Sequence, residues 1–330
     1  MLVAATFTIA TPAHADEEVF EVIREADLAM AQIGYRLATA NAPLCDRLEP
    51  GLGLVLHTPQ QYARGLRSDA IRHFKFKGPV GVEAVIAGSP AARAGIEPDD
   101  ALFRLGAIPF VDSDLQSEAN TDALIRASDQ IAALPLTEPV DTFGQRNGED
   151  YTRAIDPVPA CKTRFELIIA TDFTANADGN MVQVSSRFFE DYSADLVAAV
   201  VAHELAHNIL HHRERLEERG VAYGILSGFG RNVRYFRQTE LEADHLSVSL
   251  LANAGYDPAV AVQFWQAFGP SSGGILRSRS HPAWQDRVNA IKHAIADLGP
   301  ERPHQPSILQ ARSKPLDGDW QSLLKGDAEK

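Results

Sequence analysis

Apolar residues recur with helical spacing in some parts of the chain and with strand-like spacing in others. Between Glu17 and about Ala42 they return every three or four positions, which predicts an N-terminal helix stopped by Pro43. From about residue 60 to 161 the pattern changes to short β-rich runs between turn residues, such as Val80–Ile86. The pattern therefore indicates an α+β fold with separate helical and β-rich regions.

The second half of the chain reads as a small sheet followed by helices. Two strands are predicted, Phe165–Ala170 and Met181–Ser185, and then one long helix from Leu196 to about Glu218. A further helix contains Glu240 and is predicted to run to Asn253. Proline and charge dominate residues 301–330, so this segment is expected to be a weakly ordered extension.

Length and charge restrict the class of protein. A chain of 330 residues exceeds what one core usually organises, so two domains are expected. The net charge of -13 argues against nucleic acid as a partner, because phosphate binding needs a basic surface. No run of eighteen apolar residues is present, so no membrane span is predicted.

The first fifteen residues have the pattern of a signal peptide. An apolar run is followed by small residues that end at Ala15, although no Lys or Arg precedes the run. Export to the periplasm is therefore expected. In such an oxidising compartment, Cys45 and Cys161 can form a disulfide, while two unpaired buried thiols are the alternative.

Part of the β-rich region resembles a PDZ domain. Val85–Ile96 and Asp99–Gly106 are similar to its central strand, its short Ser-Pro-Ala helix and its acidic turn, with Asp99 where Gly is usual. A second helix over Asp122–Ala133 and a closing hairpin with its turn at Asn147–Gly148 complete the match. The resemblance implies binding of an extended peptide or a C-terminus near Lys77–Val82, or else a packed spacer.

The most specific motif lies within the long predicted helix. His203 and His207 are four residues apart and flank Glu204. This spacing places both imidazoles on one helix face, where they can bind one zinc ion, while Glu204 can act on a water molecule. Two histidines that share a face by accident are the alternative.

A catalytic zinc site generally takes a third protein ligand. On a straight helix His211 lies about 12 Å along the axis from His203, too far to share the ion. His211 is therefore interpreted as a group that supports a ligand, and His212 as a surface residue. Because Gly does not follow His207, a metzincin-type third histidine is disfavoured.

Glu240 is the other candidate for the third ligand. It lies four residues before Asp244, so one carboxylate can bind zinc while the other holds a ligand histidine through its free ring N–H. Glu242 is expected to point elsewhere. Without the upstream histidines, this acidic patch would be interpreted as a solvated helix face.

The motifs together resemble metallopeptidase family forty-eight, the gluzincin group of HtpX, BepA and the CAAX prenyl proteases. The similarity covers residues 163–298, including the two histidines, the Glu240 motif and the later His281 and Arg287. It implies a mainly helical zincin-type domain with a small sheet. It also implies one Zn²⁺ per chain bound by His203, His207 and Glu240, Glu204 as the catalytic base, and Asp244 behind a ligand.

The resemblance further implies that His281 assists the transition state or blocks the open zinc position, and that Arg287 accompanies it. The expected activity is hydrolysis of peptide bonds in unfolded or extended envelope proteins, with substrate added along the strand near Met181–Ser185. A non-catalytic, chaperone-like zinc protein or a PDZ scaffold is the alternative. The expected layout is a signal peptide (1–15), helix and connector (16–59), PDZ-like domain (60–160), metallopeptidase domain (161–300) and tail (301–330).

Overall fold

The computed structural model describes residues 17–111, 114–221, 232–270 and 281–325, so the predicted signal peptide lies outside the described residues. The helices, in chain order, are α1 Glu17–Ala40, α2 Arg64–His73, α3 Pro90–Arg93, α4 Asp122–Ile131, α5 Ser186–Asp191, α6 Ala194–Ile209, α7 His212–Glu218, α8 Val233–Asn253, α9 Ala259–Phe268 and α10 Trp284–Ala296. The strands are β1 Leu48–Gly51, β2 Leu54–His57, β3 Val80–Val85, β4 Ala101–Leu105, β5 Ile108–Pro109, β6 Val140–Arg146, β7 Glu149–Ile155, β8 Val158–Cys161, β9 Arg164–Ile168, β10 Ala175–Ala177 and β11 Met181–Ser185. This arrangement confirms the α+β class.

The β-rich region forms one antiparallel sheet in the order β2-β3-β4-β6-β7, with β5 paired to β4. The predicted hairpin is present, and Asn147 and Gly148 both have positive φ in its turn. Strand β3 has neighbours on both sides, whereas β2 lies at the end of the sheet. Lys77–Val82 leads into β3 from a loop, and binding of a C-terminus there stays a prediction, whereas an added strand would pair with an end of the sheet such as Leu54–His57.

Helix α1 packs against both halves of the chain, because it contacts strands of the β-rich region and also β9 and α6. Asp99 adopts a left-handed φ of 68°, which explains why Gly is usual there, and its carboxylate accepts a hydrogen bond from Arg24 of α1 at 2.7 Å. At the other end of α1, Cys45 and Cys161 form a disulfide with their Cα atoms 5.4 Å apart. The N-terminal helix is thus fixed to both regions.

Strands β1 and β8 form a separate antiparallel pair, and the rest of the described residues form a three-stranded sheet and a helical layer. Strand β11 lies in the centre of the sheet, antiparallel to β10 and parallel to β9. The expectation that Met181–Ser185 is an exposed edge strand is therefore wrong, because β10 covers it and forms the edge itself. Helix α6 packs against α1, α8 and α9, and its apolar residues are buried on all sides.

Two further expectations from the sequence are wrong. The long helix predicted from Leu196 to Glu218 is broken, because His211 takes a left-handed φ of 54° between α6 and α7. Residues 301–325 are not a loose extension: they form 3₁₀ turns at Ser307–Ser313 and Gln321–Leu324 and bury Leu316 completely. Leu316 joins Leu216 and Val221 in a small apolar cluster, which supplies the core that composition alone did not reveal.

Candidate metal centre

Helices α6 and α8 bring the predicted zinc ligands together. Within α6, His203 and His207 are one turn apart with their Nε2 atoms 3.1 Å from each other. Across from them on α8, the Glu240 carboxylate lies 3.5 Å from His203 Nε2 and 3.7 Å from His207 Nε2. The other faces of α6 are packed with buried apolar residues, and these half-buried polar side chains pair with one another at the cavity.

The three residues fit a zinc ion. A tetrahedral zinc with bonds of about 2.0–2.1 Å separates its donor atoms by roughly 3.4 Å, and the observed separations bracket this value. Two imidazoles and one carboxylate are also the ligand set of catalytic zinc sites that retain an open position. Among the described residues, this trio is the group of metal-binding side chains with donor atoms close enough, all within 4.8 Å.

Glu204 lines the cavity in front of this trio. Burial raises its pKa to about 7, although the charge of His203 acts in the opposite direction. A carboxylate with a pKa near neutrality can accept and return a proton at physiological pH. The position and the acidity of Glu204 therefore suit a general base.

Asp244 and Arg287 support the His203 side of the centre. Asp244 Oδ1 lies 3.1 Å from His203 Nδ1, the nitrogen opposite the one that faces Glu240. Arg287 donates two hydrogen bonds of 2.7 Å to the Asp244 carboxylate, and its Nη1 lies 3.1 Å from Glu240. The guanidinium also stacks on the ring of Trp265, with its central carbon 3.8 Å from the centroid.

The His207 side has a different support, which the sequence did not predict. His212 is 1% exposed, and its Nδ1 lies 2.9 Å from His207 Nδ1. On its other side, His212 Nε2 lies 3.0 Å from the carboxylate of Glu242. His212 is therefore not a surface residue, and it takes the position behind a ligand that was expected for His211.

His211 instead points away from the centre. Its ring nitrogen lies 2.9 Å from the carboxylate of Asp46, a residue near the end of the N-terminal segment. Glu242 does point away from the ligands, as expected, but it is only 2% exposed and pairs with Arg215 as well as His212. A charged residue between the buried Leu241 and Ala243 was the signal that could have identified it.

His281 stands at the mouth of the centre. Its Nε2 lies 3.6 Å from Glu240, and its side chain is 52% exposed. The structure thus places the predicted histidine beside the third ligand. Its accessibility fits a group that can approach a substrate or the metal.

The centre opens into a cavity of about 870 Å³. The metal-binding trio and Glu204 form its polar part, and strand β10 borders it through Ala175 and Ala177. Another part of the lining is apolar and largely aromatic, formed by Phe173, Phe188, Val200, Phe264 and Phe268. The cavity therefore joins a polar candidate metal centre, a strand at the end of the described sheet and an apolar recess.

Comparison with known proteins supports this interpretation. Residues 152–295 match the model of Peptidase family M48, which confirms the resemblance and indicates a metallopeptidase hydrolase. No curated protein matches the chain. A solved structure of the HtrA3 PDZ domain bound to a phage-derived ligand (FGRWV) is similar at 18% identity and a TM-score of 0.25, over 34% of this chain and 88% of that one. None of the described helices combines the length and apolarity needed to cross a membrane.

Proposed function

We propose that this chain, whose residues 152–295 match Peptidase family M48, is a zinc-dependent endopeptidase that cleaves unfolded polypeptides in the cell envelope. The observation that carries the proposal is the convergence of His203, His207 and Glu240 beside the half-buried Glu204. When bound, zinc supplies the Lewis acidity that polarises a scissile carbonyl and acidifies water. The three ligands leave a position open for that chemistry.

Glu204 holds the proton in the proposed reaction. Its carboxylate takes a proton from the attacking water and returns it to the amine nitrogen that leaves. The pKa of Glu204, raised to about 7 by burial, allows both transfers near neutral pH. His281, half exposed beside Glu240, either donates to the oxygen that gains negative charge or restricts access.

The shape of the cavity supports an extended polypeptide as substrate. Strand β10 offers a free edge on one side of the sheet, so a substrate can pair with Ala175–Ala177 as an added strand. The aromatic part of the cavity lining favours apolar side chains next to the cleaved bond. Extended segments with apolar side chains are what unfolded proteins expose.

Two features support the envelope as the place of action. The predicted signal peptide directs export, and the Cys45–Cys161 disulfide suits an oxidising compartment. The edge strand Leu54–His57 of the PDZ-like sheet could bind a peptide or C-terminus and deliver it to the cavity. Quality control of envelope proteins is the role that we propose.

Cleavage of unfolded casein in the presence of zinc tests the proposal. The wild type is expected to cleave it, and Glu204→Gln, which keeps the volume but loses the base, is expected to be about 10³-fold slower. Both proteins are expected to bind one zinc ion, measured by elemental analysis. If wild type and His281→Ala both bind zinc and cleave no peptide in a broad library, the non-catalytic alternative is correct.

A further inference from the structure

The two ligand histidines are held from behind in different ways. Nδ1 of His203 lies beside the carboxylate of Asp244. Nδ1 of His207 lies 2.9 Å from Nδ1 of another imidazole, that of His212. His212 in turn lies 3.0 Å from Glu242, and both are at most 2% exposed. A buried row of three side chains thus leads away from the metal centre.

The direction of the hydrogen bonds in this row follows from its two ends. If His207 uses Nε2 as a ligand atom, its Nδ1 carries the hydrogen and donates to His212 Nδ1. His212 Nε2 then carries the second hydrogen and donates to the Glu242 carboxylate, which can only accept. Each ring is neutral, and each buried nitrogen of His212 has a partner.

Glu242 is fixed as the acceptor at the end of the row. Arg215 binds both of its oxygens, with Nη2 3.2 Å from Oε1, and Gln238 donates to the same oxygen at 2.8 Å. Because Arg215, Gln238 and His212 all direct N–H groups at the oxygens of Glu242, this carboxylate acts as the acceptor that orients the His212 ring.

The break in the helix makes this row possible. On a straight helix, a residue five positions after His207 would lie about 140° around the axis, away from its ring. The left-handed conformation of His211, with φ of 54°, ends α6 and starts α7 so that His212 lies under His207 instead. The left-handed backbone at His211 is thus what allows His207, His212 and Glu242 to form a hydrogen-bonded row.

We propose that His212 and Glu242 are positioning residues that hold His207 in the tautomer and orientation needed to bind the metal. This inference rests on the proposed zinc site and goes beyond it. It assigns a function to two buried residues that the proposed peptide hydrolysis does not use directly. It also predicts that metal affinity, rather than substrate binding, responds to their replacement.

The test measures metal binding to the full-length protein after zinc has been removed with a chelator. Zinc affinity is determined by competition with a chromophoric chelator, and the site is also loaded with Co²⁺ to record its visible absorption spectrum. His212→Phe, which keeps a ring but removes both hydrogen bonds, is expected to weaken zinc binding 10- to 100-fold, as roughly expected for loss of such support. The cobalt spectrum is expected to change with it.

Two further variants complete the design. Glu242→Gln keeps a hydrogen-bonding group but no longer dictates its direction, so roughly a 3- to 10-fold loss of affinity is expected. This variant carries the test if His212→Phe does not fold. His211→Asn is the matched control, because it removes the neighbouring imidazole while Asn tolerates the left-handed backbone, and its zinc affinity is expected to equal that of the wild type.

Wild-type zinc affinity and an unchanged cobalt spectrum in folded His212→Phe would overturn the inference. The same holds for Glu242→Gln if it is the variant that folds. These readouts require no peptide cleavage, so their outcome is separate from that of Glu204→Gln. A zinc site that weakens as expected in a protein that cleaves nothing would support the positioning role and contradict the proposed peptidase activity.

Discussion

Buried carboxylates on α8 and on β3 have pKa values that are shifted in opposite directions. On α8, Glu242 and Asp244 are each paired with a buried arginine, and both pKa values are lowered in spite of burial. On β3, Glu83 is equally buried at 4% exposure, but its pKa is raised to about 8, first by desolvation and then by Asp27. Burial alone therefore does not decide the charge of these groups.

The two pKa shifts differ in direction because the nearby arginines contact different carboxylates. Arg215 and Arg287 place their guanidinium groups directly on the α8 carboxylates. Arg24, the cation that acts on Glu83, donates instead to Asp99 at 2.7 Å. The carboxylates behind the candidate metal ligands, Asp244 and Glu242, thus have lowered pKa values. The contact between α1 and the six-stranded sheet contains an acid, Glu83, whose pKa is raised.

Removing Arg287 should change the stability of the protein most, because its guanidinium pairs with two carboxylates, those of Asp244 and Glu240. Arg287→Met leaves Asp244 and Glu240 without their guanidinium, and a loss on the order of 5 kcal/mol in the free energy of unfolding is expected. The measurement is urea denaturation of the zinc-free protein. Arg47→Met, which breaks an exposed ion pair with Glu214, is the control and should cost about 1 kcal/mol or less. Similar losses of unfolding free energy in the two variants would mean that the buried and the exposed ion pairs contribute equally to stability.

Glu83→Gln should raise stability at alkaline pH. A carboxyl whose folded pKa lies above its unfolded value stabilises the fold at low pH, and that contribution is lost as pH rises from about 4.5 to about 8. At roughly 1.4 kcal/mol per tenfold change in acidity, the variant should gain about 4 kcal/mol over the wild type by pH 8. At pH 4 the two proteins should be equally stable.

The same pH series needs a control for the general loss of carboxylate charge. Glu149→Gln is suitable, because it removes one exposed carboxylate from β7 and leaves Glu83 in place. Parallel curves for Glu83→Gln and the wild type between pH 5 and 8 would show that Glu83 ionises normally. The pKa values of buried carboxylates on α8 and on β3 would then not differ in the way proposed, because that of Glu83 would not be raised.

Glu242→Gln should change the pH dependence in the opposite direction. A carboxyl whose folded pKa lies below its unfolded value contributes stability above about 4.5, and this is lost as pH falls toward 2. The contribution corresponds to about 3 kcal/mol. Urea denaturation of zinc-free protein should therefore show a shallower decline below pH 4.5 in the variant. An equally steep decline in both proteins would mean that Glu242 does not carry the lowered pKa.

The sequence predicted the part of the metal centre that depends on regular helices. His203 and His207 on α6 are four residues apart, as are Glu240 and Asp244 on α8, and the packing of α6 against α8 brings the two pairs together. His211 and His212 were assigned the wrong way round because their positions depend on a break in the helix. A single left-handed residue is set by tertiary contacts, such as the one between His211 and Asp46, which local periodicity does not contain.

The course of the C-terminal segment was missed for a similar reason. Residues 301–330 are rich in proline and charge, which locally favours disorder, but Leu316 fills a cluster built from distant parts of the chain. The backbone of this segment also reaches the support of the metal centre. The Lys314 carbonyl accepts a hydrogen bond from Arg215 at 3.0 Å, and the Gly318 N–H donates to Gln238 at 2.8 Å. Both partners hold Glu242.

Truncation after Ser313 tests whether the C-terminal segment helps Arg215 and Gln238 to hold Glu242. Its effect, on zinc affinity, should be the smallest of the four predicted changes. Arg215 and Gln238 lose one hydrogen bond each but keep their contacts with Glu242, so zinc affinity should fall by roughly two- to fivefold, about 1 kcal/mol or less. Truncation after Lys325, which spares both contacts and Leu316, is the control and should bind zinc like the full chain. Chelator competition measures both. Equal zinc affinity in the two truncated proteins would mean that the C-terminal segment does not contribute to the position of Arg215 and Glu242. The residues that position His207 would then all lie on α7 and α8.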